Sequence, residues 1–299
     1  MPTAELAVTD RFRQLLDRLA QKSIEDYYNP YQRFDWADSL DDDQWWMSPE
    51  LISPVGTAAL DQLDEATRKR LSKWESINFY SLNVHGIREL LIEVVNRIHM
   101  PGFEVPSDFF HHFIGEENEH MWFFSEFCLR YGGKIYQPPV FKLGGATERQ
   151  EPEVENFLVF ARILFFEELV DYYNMAMGQD ERLCHTIRQV NAIHHQDESR
   201  HIAFGRELVA HLYGRMREAV GDDRLREVEA YLKRYMVYSL NSFYNPEIYR
   251  DAGIADPLAL RAAIIGDPGR RAVERRVIRK PMAFFRKIGL FADDTLPTS

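Results

Sequence analysis

The 299-residue sequence predicts an all-α protein, an antiparallel four-helix bundle with extra helices at its N- and C-terminal ends. Three observations predict it. Apolar residues recur at helical spacing over several long stretches. No stretch of useful length alternates apolar and polar residues as a half-buried strand would. The connections between the long stretches are short to moderate, which suits antiparallel neighbours.

Each element has its own justification. Residues 10–27 form a surface helix, capped by Thr9 or Asp10, with Phe12, Leu15, Leu16, Leu19 and Ile24 as its apolar stripe. Residues 28–57 are acidic and broken by Pro30, Pro49 and Pro54. Trp36, Trp45 and Trp46 lie there, and tryptophans rarely stay in water, so this stretch reads as an irregular arm on the helical body. The first bundle helix spans 64–99, in one piece or two, and stops at Met100-Pro101-Gly102. The second spans 107–130, capped by Ser107 or Asp108 and stopped by Gly132-Gly133. A loop over 133–150 carries Pro138-Pro139 and Gly144-Gly145. The third helix spans 152–177 with Pro152 in its first turn, and the fourth spans 180–212. Further helices are expected near 222–243, 257–264 and 268–287. The chain reads as one domain: an arm (1–60), a bundle (64–212), and additional helices with a tail (213–299).

Composition excludes several functions. The formal net charge of −11 is wrong for gripping a phosphate backbone, so no nucleic-acid partner is expected. The most apolar stretch, Phe157 to Phe166, is too short to cross a bilayer, so no membrane partner is expected either. Cys128 and Cys184 are too few for a disulfide framework and read as small core residues. With no basic start leading into an apolar run, the expectation is a cytoplasmic protein. Neither a Gly-rich phosphate loop nor a flavin or nicotinamide motif is visible.

The chemistry lies in two Glu-x-x-His units, Glu117-Asn118-Glu119-His120 and Glu198-Ser199-Arg200-His201. Residues three apart share a helix face, so each unit can offer a carboxylate and an imidazole to one metal ion. Chance supplies such units in a Glu-rich chain, but three features set these apart. Each is preceded by an acid, Glu116 or Asp197. Each follows a helix that carries Glu on an apolar surface. The upstream acids lie about 30 residues back, enough to run down one helix and up the next.

In the second half the upstream helix is apolar from Phe157 to Phe166 except for Arg162, and then reads Glu167-Glu168. Glu167 is favoured as the inward member. In the first half Glu89 and Glu93 share a face, and Glu89 is favoured because its depth along the helix matches that of Glu117. The expected ligands are therefore Glu89, Glu117, His120, Glu167, Glu198 and His201. This donor set suits iron or manganese. Glu116 and Asp197 would each accept the free ring N–H of a ligand His from the opposite unit. His194, one turn before Glu198, would add a third imidazole; the plainer alternative is a core histidine. His195 points elsewhere and reads as structural. No catalytic residue beyond the ligands is expected.

The two units, the upstream acids and above all His194-x-x-x-Glu198-x-x-His201 resemble the non-haem di-iron N-oxygenase family, the p-aminobenzoate N-oxygenase and arylamine oxygenase group of the ferritin-like superfamily. The resemblance covers about 75–245, with a looser likeness from Tyr249 to Ile254. It implies two iron ions, O2 as co-substrate and an external electron donor. It implies oxidation of an amine nitrogen, to hydroxylamine, nitroso or nitro, on a small natural-product substrate that is free or carrier-bound. A redox partner goes with that reading; oligomeric state is left open by the sequence, with a homodimer as the default. Three alternatives share some of the pattern: a di-iron C–H hydroxylase or desaturase, a ferritin-like iron-storage or peroxide-scavenging protein, and a metal-free helical interaction protein. The basic segment from Arg270 to Lys287, with Arg275, Arg276 and Arg279, reads either as a solvated helix face or as a docking patch for an acidic partner.

Overall fold

In the computed structural model, which describes residues 10–138 and 151–297, every regular element is helical. Among the described residues the only β pairing is one isolated bridge between Trp45 and Leu183. The expected loop over 133–150 and the Thr9 cap fall partly or wholly outside the described residues.

Four long helices make the bundle: α3 (Glu65–Val95), α4 (Ser107–Phe127), α5 (Pro152–Gln179) and α6 (His185–Ala219). Here α1 is Asp10–Glu25 and α2 is a single turn, Pro30–Arg33. Asp64 starts α3 by accepting from Thr67 N at 2.7 Å, which satisfies one of the donors a helix N-terminus leaves open. Pro152 opens α5. Helices α3 and α4 pack as one hairpin, α5 and α6 as the other, and the two pairs close on each other through α3–α5 and α4–α6 contacts. Gly178 lets α5 and α6 approach closely, since a Cβ there would meet the backbone of Ala192 at 3.1 Å. The last turn of α4 loosens into a π-helical segment, Cys128–Gly132, and Gly133 ends it at φ 67°.

The core between the pairs is strongly aromatic. Phe109, Phe110, Phe123, Phe124 and Phe127 on α4 are all fully buried. Phe110 stacks on Phe160 of α5, and Phe124 on Tyr80 of α3. The arm covers one side of this core: Trp46 is 2% exposed and faces Phe127 edge-on. Helix α1 lies across α4 and α6.

The remaining helices are α7 (Asp222–Ser242), α8 (Pro246–Asp251), α9 (Pro257–Gly266), α10 (Pro268–Val277) and α11 (Arg279–Lys287). The helix expected over 268–287 breaks in two at Ile278. Pro281 explains the break: it has no N–H to return to Val277, so the ladder cannot run through that turn. The fourth bundle helix begins later than expected and runs further, to Ala219. Both short elements, α2 and α8, are absent from the sequence expectation; each is capped by an Asn (Asn29, Asn245) followed by Pro. No helix among the described residues is long and apolar enough to cross a membrane.

Candidate metal centre

Glu117 and His120 on α4 meet Glu198 and His201 on α6 in the middle of the bundle, and one donor atom from each lies within 4.8 Å of all the others. Helical spacing does this locally, because three residues bring a side chain back to the same face. All four are at most 1% exposed. His201 Nδ1 lies 2.7 Å from Glu117 Oε1 and 3.6 Å from Glu198 Oε1. His120 Nδ1 lies 3.3 Å from Glu117 Oε1 and 3.6 Å from Glu198 Oε1.

Two more expected residues reach the cluster. Glu167 Oε2 on α5 is 3.8 Å from His201 Nδ1. Its neighbour Glu168 is turned away, with both oxygens on the Arg206 guanidinium at 2.8 and 2.9 Å. His194 Nε2 is 3.0 Å from Glu198 Oε1, and its ring lies 4.5 Å from that of His120, centroid to centroid. His195 instead pairs with Asp171 on the outer side of α6.

Glu89 does not join them. It is solvent-exposed, while Glu93 pairs with Arg97 at 2.7 Å. The inward stripe of α3 is Tyr80, Asn83, Ile87, Leu90 and Val94, each at most 4% exposed. Depth along the helix favoured Glu89, but its phase is two residues away from Ile87 and points outward. The one buried acid of α3, Glu75, is held elsewhere by Ser53 N at 2.9 and 3.0 Å. The cluster therefore has three carboxylates and three imidazoles, with no carboxylate from α3.

Behind the imidazoles, Asp197 Oδ2 accepts from His120 Nε2 at 3.1 Å and Glu116 Oε2 accepts from His201 Nε2 at 2.8 Å. Each acid thus lies behind the ring of the opposite unit, and each ring is left with Nδ1 facing the cluster. Arg200, 5% exposed, binds Glu116, Asp197 and Asp26 of the segment after α1. Tyr28 OH donates to Asp197 Oδ2 at 3.1 Å. Arg200, Asp26 and Tyr28 were not anticipated. The signal for Arg200 was present, three residues after Asp197 on the same face; none existed for Tyr28.

Electrostatics follow from this wiring. Burial works to raise Glu116, but the His201 and Arg200 contacts outweigh it and hold its carboxyl at about 2. Burial pushes Glu198 up, helped by the charge of Glu117. Burial and the neighbouring His120 keep His194 well below the ordinary range, so it is neutral.

The donor chemistry tests whether metal ions fit. Glu117 Oε1 and Oε2, His120 Nδ1, Glu167 Oε2, Glu198 Oε2 and His201 Nδ1 are all buried with no hydrogen-bond partner. Leaving even one such group unpaired costs about 1–3 kcal/mol. Every one is an oxygen or an imidazole nitrogen on a residue of the cluster, a donor set that cations of the iron or manganese type would satisfy. Phe113 packs on His201 at 4.5 Å and Phe124 on His194 at 4.7 Å, which excludes water from the flanks.

Solved structures similar to this chain include two R2-like ligand-binding oxidases. One is a point mutant with an anaerobically reconstituted Mn/Fe cofactor, 15% identical, covering 88% of this chain and 93% of its own, with a TM-score of 0.48. The other, without metal cofactor, is 16% identical over 88% and 96% of the two chains, with a TM-score of 0.41. No curated protein matches the chain. The family model of the p-aminobenzoate N-oxygenase AurF matches residues 9–289, which takes in the bundle, the cluster and the acids behind it. The chain belongs to the p-aminobenzoate N-oxygenase AurF family.

Proposed function

We propose that the protein is an O2-dependent di-iron N-oxygenase that oxidises the amine nitrogen of a small molecule. The observation that carries the reading is the convergence of Glu117, His120, Glu198 and His201 on one buried point, within a chain of this family. In this reading Glu117, His120, Glu167, His194, Glu198 and His201 hold the ions. Iron bound there would supply reductive activation of O2 and transfer of one oxygen atom to nitrogen.

The chain's own residues do the rest. Asp197 and Glu116 hold the protons on the Nε2 atoms of His120 and His201, so both rings present a lone pair at Nδ1. Arg200 balances the charge of those two acids without entering the cluster. Phe113, Phe123 and Phe124 keep bulk water away from the imidazoles. Converting an amine to a hydroxylamine with O2 consumes two electrons and two protons and releases water, and the electrons come from an external donor. Seven basic side chains from Arg271 to Lys287 are exposed, and Arg270 is buried against Tyr244. The surface carrying Arg275, Arg276 and Arg279 is the candidate docking site for that donor.

The test is iron per chain followed by an amine screen under O2 with reductant. Two irons and N-oxidised product support the reading. Iron-loaded protein that oxidises carbon positions and no amine would replace it with a C–H hydroxylase.

A further inference from the structure

His194 differs from the other two imidazoles in what stands behind it. His120 and His201 each turn Nδ1 to the cluster and are backed at Nε2 by a carboxylate. His194 is turned the other way, with Nε2 3.0 Å from Glu198 Oε1 and Nδ1 against the side-chain amide of Asn174 on α5. Both residues are at most 1% exposed. Asn174 lies seven residues after Glu167, on the same face of α5.

The amide is placed with Nδ2 toward His194 Nδ1, and its Oδ1 has no hydrogen-bond partner. That orientation makes Nδ1 the acceptor and leaves the ring proton on Nε2, pointing at Glu198. A metal ion on Nε2 reverses the requirement. The neutral ring must then carry its proton on Nδ1, and two donors would face each other across the contact. Turning the amide over removes the conflict: Oδ1 accepts Nδ1–H, and no hydrogen bond of Oδ1 is broken. The nitrogen and oxygen of a side-chain amide are assigned from their surroundings, so both orientations fit the same side-chain position.

We propose that Asn174 is a positioning residue: in the metal-loaded protein its carbonyl oxygen accepts Nδ1–H of His194 and so presents the Nε2 lone pair to the metal beside Glu198. This rests on the metal-centre reading above. An amide also does what a carboxylate cannot. It donates to Nδ1 when Nε2 holds the proton and accepts from Nδ1 when Nε2 holds a metal. As a neutral acceptor it polarises the ring less than Asp197 or Glu116 polarises theirs, so His194 is the weakest imidazole donor of the three.

Zinc is the probe, because it is diamagnetic and takes the same donors. Wild type, Asn174→Leu and Asn174→Asp are loaded with zinc, and affinity is measured by competition with a chelator. Leu keeps the volume and removes the acceptor; Asp keeps the shape and only accepts. We expect roughly a 10- to 100-fold weaker zinc affinity at one of two sites in Asn174→Leu, with recovery to wild type or tighter in Asn174→Asp. Ring 15N NMR of zinc-loaded wild type, which needs no variant to fold, should show His194 protonated on Nδ1. Unchanged affinity in Asn174→Leu, no recovery in Asn174→Asp, or a proton on Nε2 of His194 in the loaded protein overturns the proposal. Failure of the metal-centre reading looks different: wild type itself would then bind no zinc that Glu117→Ala removes.

Discussion

Glu116 and Asp197 stand on different helices, yet a single nitrogen, Nη2 of Arg200, donates to both, at 2.7 and 2.6 Å. The two acids are the partners of His201 and His120, so one guanidinium ties together the supports of both imidazoles. Its other terminal nitrogen, Nη1, reaches Asp26 at 3.1 Å, which fastens the end of α1 to the same group. A lysine could not do this, because an ammonium on a flexible stem lacks the planar fork.

Arg200→Ala should therefore be among the costliest single substitutions in the chain. It leaves Asp197, 2% exposed, and the half-buried Glu116 without their guanidinium, and Asp26 with Lys22 alone. Removing one partner of a buried ion pair costs about 3–5 kcal/mol. Chemical denaturation of the variant beside wild type measures it. A change of only a few tenths of a kcal/mol would mean that water reaches these acids and compensates them.

Glu116→Gln and Asp197→Asn should each weaken metal binding by about 10- to 100-fold while leaving the helices intact. The crossed arrangement makes the prediction specific. Glu116 is next in sequence to Glu117 but should act through His201, and Asp197 is next to Glu198 but should act through His120. Ring NMR of the zinc-loaded variants checks this: the shifted imidazole must be the one on the opposite helix. A shift confined to the same helix would show that the acids act on their sequence neighbours.

Much of this centre was legible in the sequence because helical geometry is rigid. Three- and four-residue spacings fix which side chains share a face, so His194, Glu198 and His201 had to fall on one stripe. The choice of Glu167 over Glu168 was weighed from an apolar run alone, and the structure shows Arg206 occupying Glu168. Depth misleads where phase should decide: Glu89 is placed by its expected depth, but it stands exposed on α3. Long-range partners were not legible at all. Tyr28 reaches Asp197 across 169 residues of sequence, through an arm with no periodic pattern to place it.

Glu89→Ala provides the direct check on that correction. An exposed Glu on the outer face of α3 should contribute nothing to the centre, and surface substitutions of this kind usually change stability by less than about 0.5 kcal/mol. Iron per chain and the amine oxidation rate should match wild type. Loss of one iron equivalent would return Glu89 to the ligand set and require α3 to rotate.

Glu75 offers a pH-dependent prediction away from the metal centre. It is 6% exposed and receives Ser53 N on both oxygens. Burial raises its carboxyl to about 7 from 4.5, against the opposing pull of the Ser53 bonds and of the Arg270 charge. Tyr249, whose hydroxyl donates to Ser53 Oγ at 3.0 Å, and Tyr173 share this environment and are themselves pushed up by burial. The folded state therefore holds the Glu75 proton more tightly than the unfolded chain does. Below about 4.5 both states are protonated and the group has no effect on stability. Between about 4.5 and about 7 the unfolded chain loses the proton while the folded state keeps it, so the folded state is progressively disfavoured across that window, and the loss is complete above about 7. Glu75→Gln cannot ionise and still offers one oxygen to Ser53 N. The variant should be close to wild type at pH 5 and more stable at pH 8, by up to about 3 kcal/mol. Denaturation curves at the two pH values decide it. An equal difference at both would mean that Glu75 ionises as freely in the folded protein as in the unfolded chain, with its charge already balanced by Arg270.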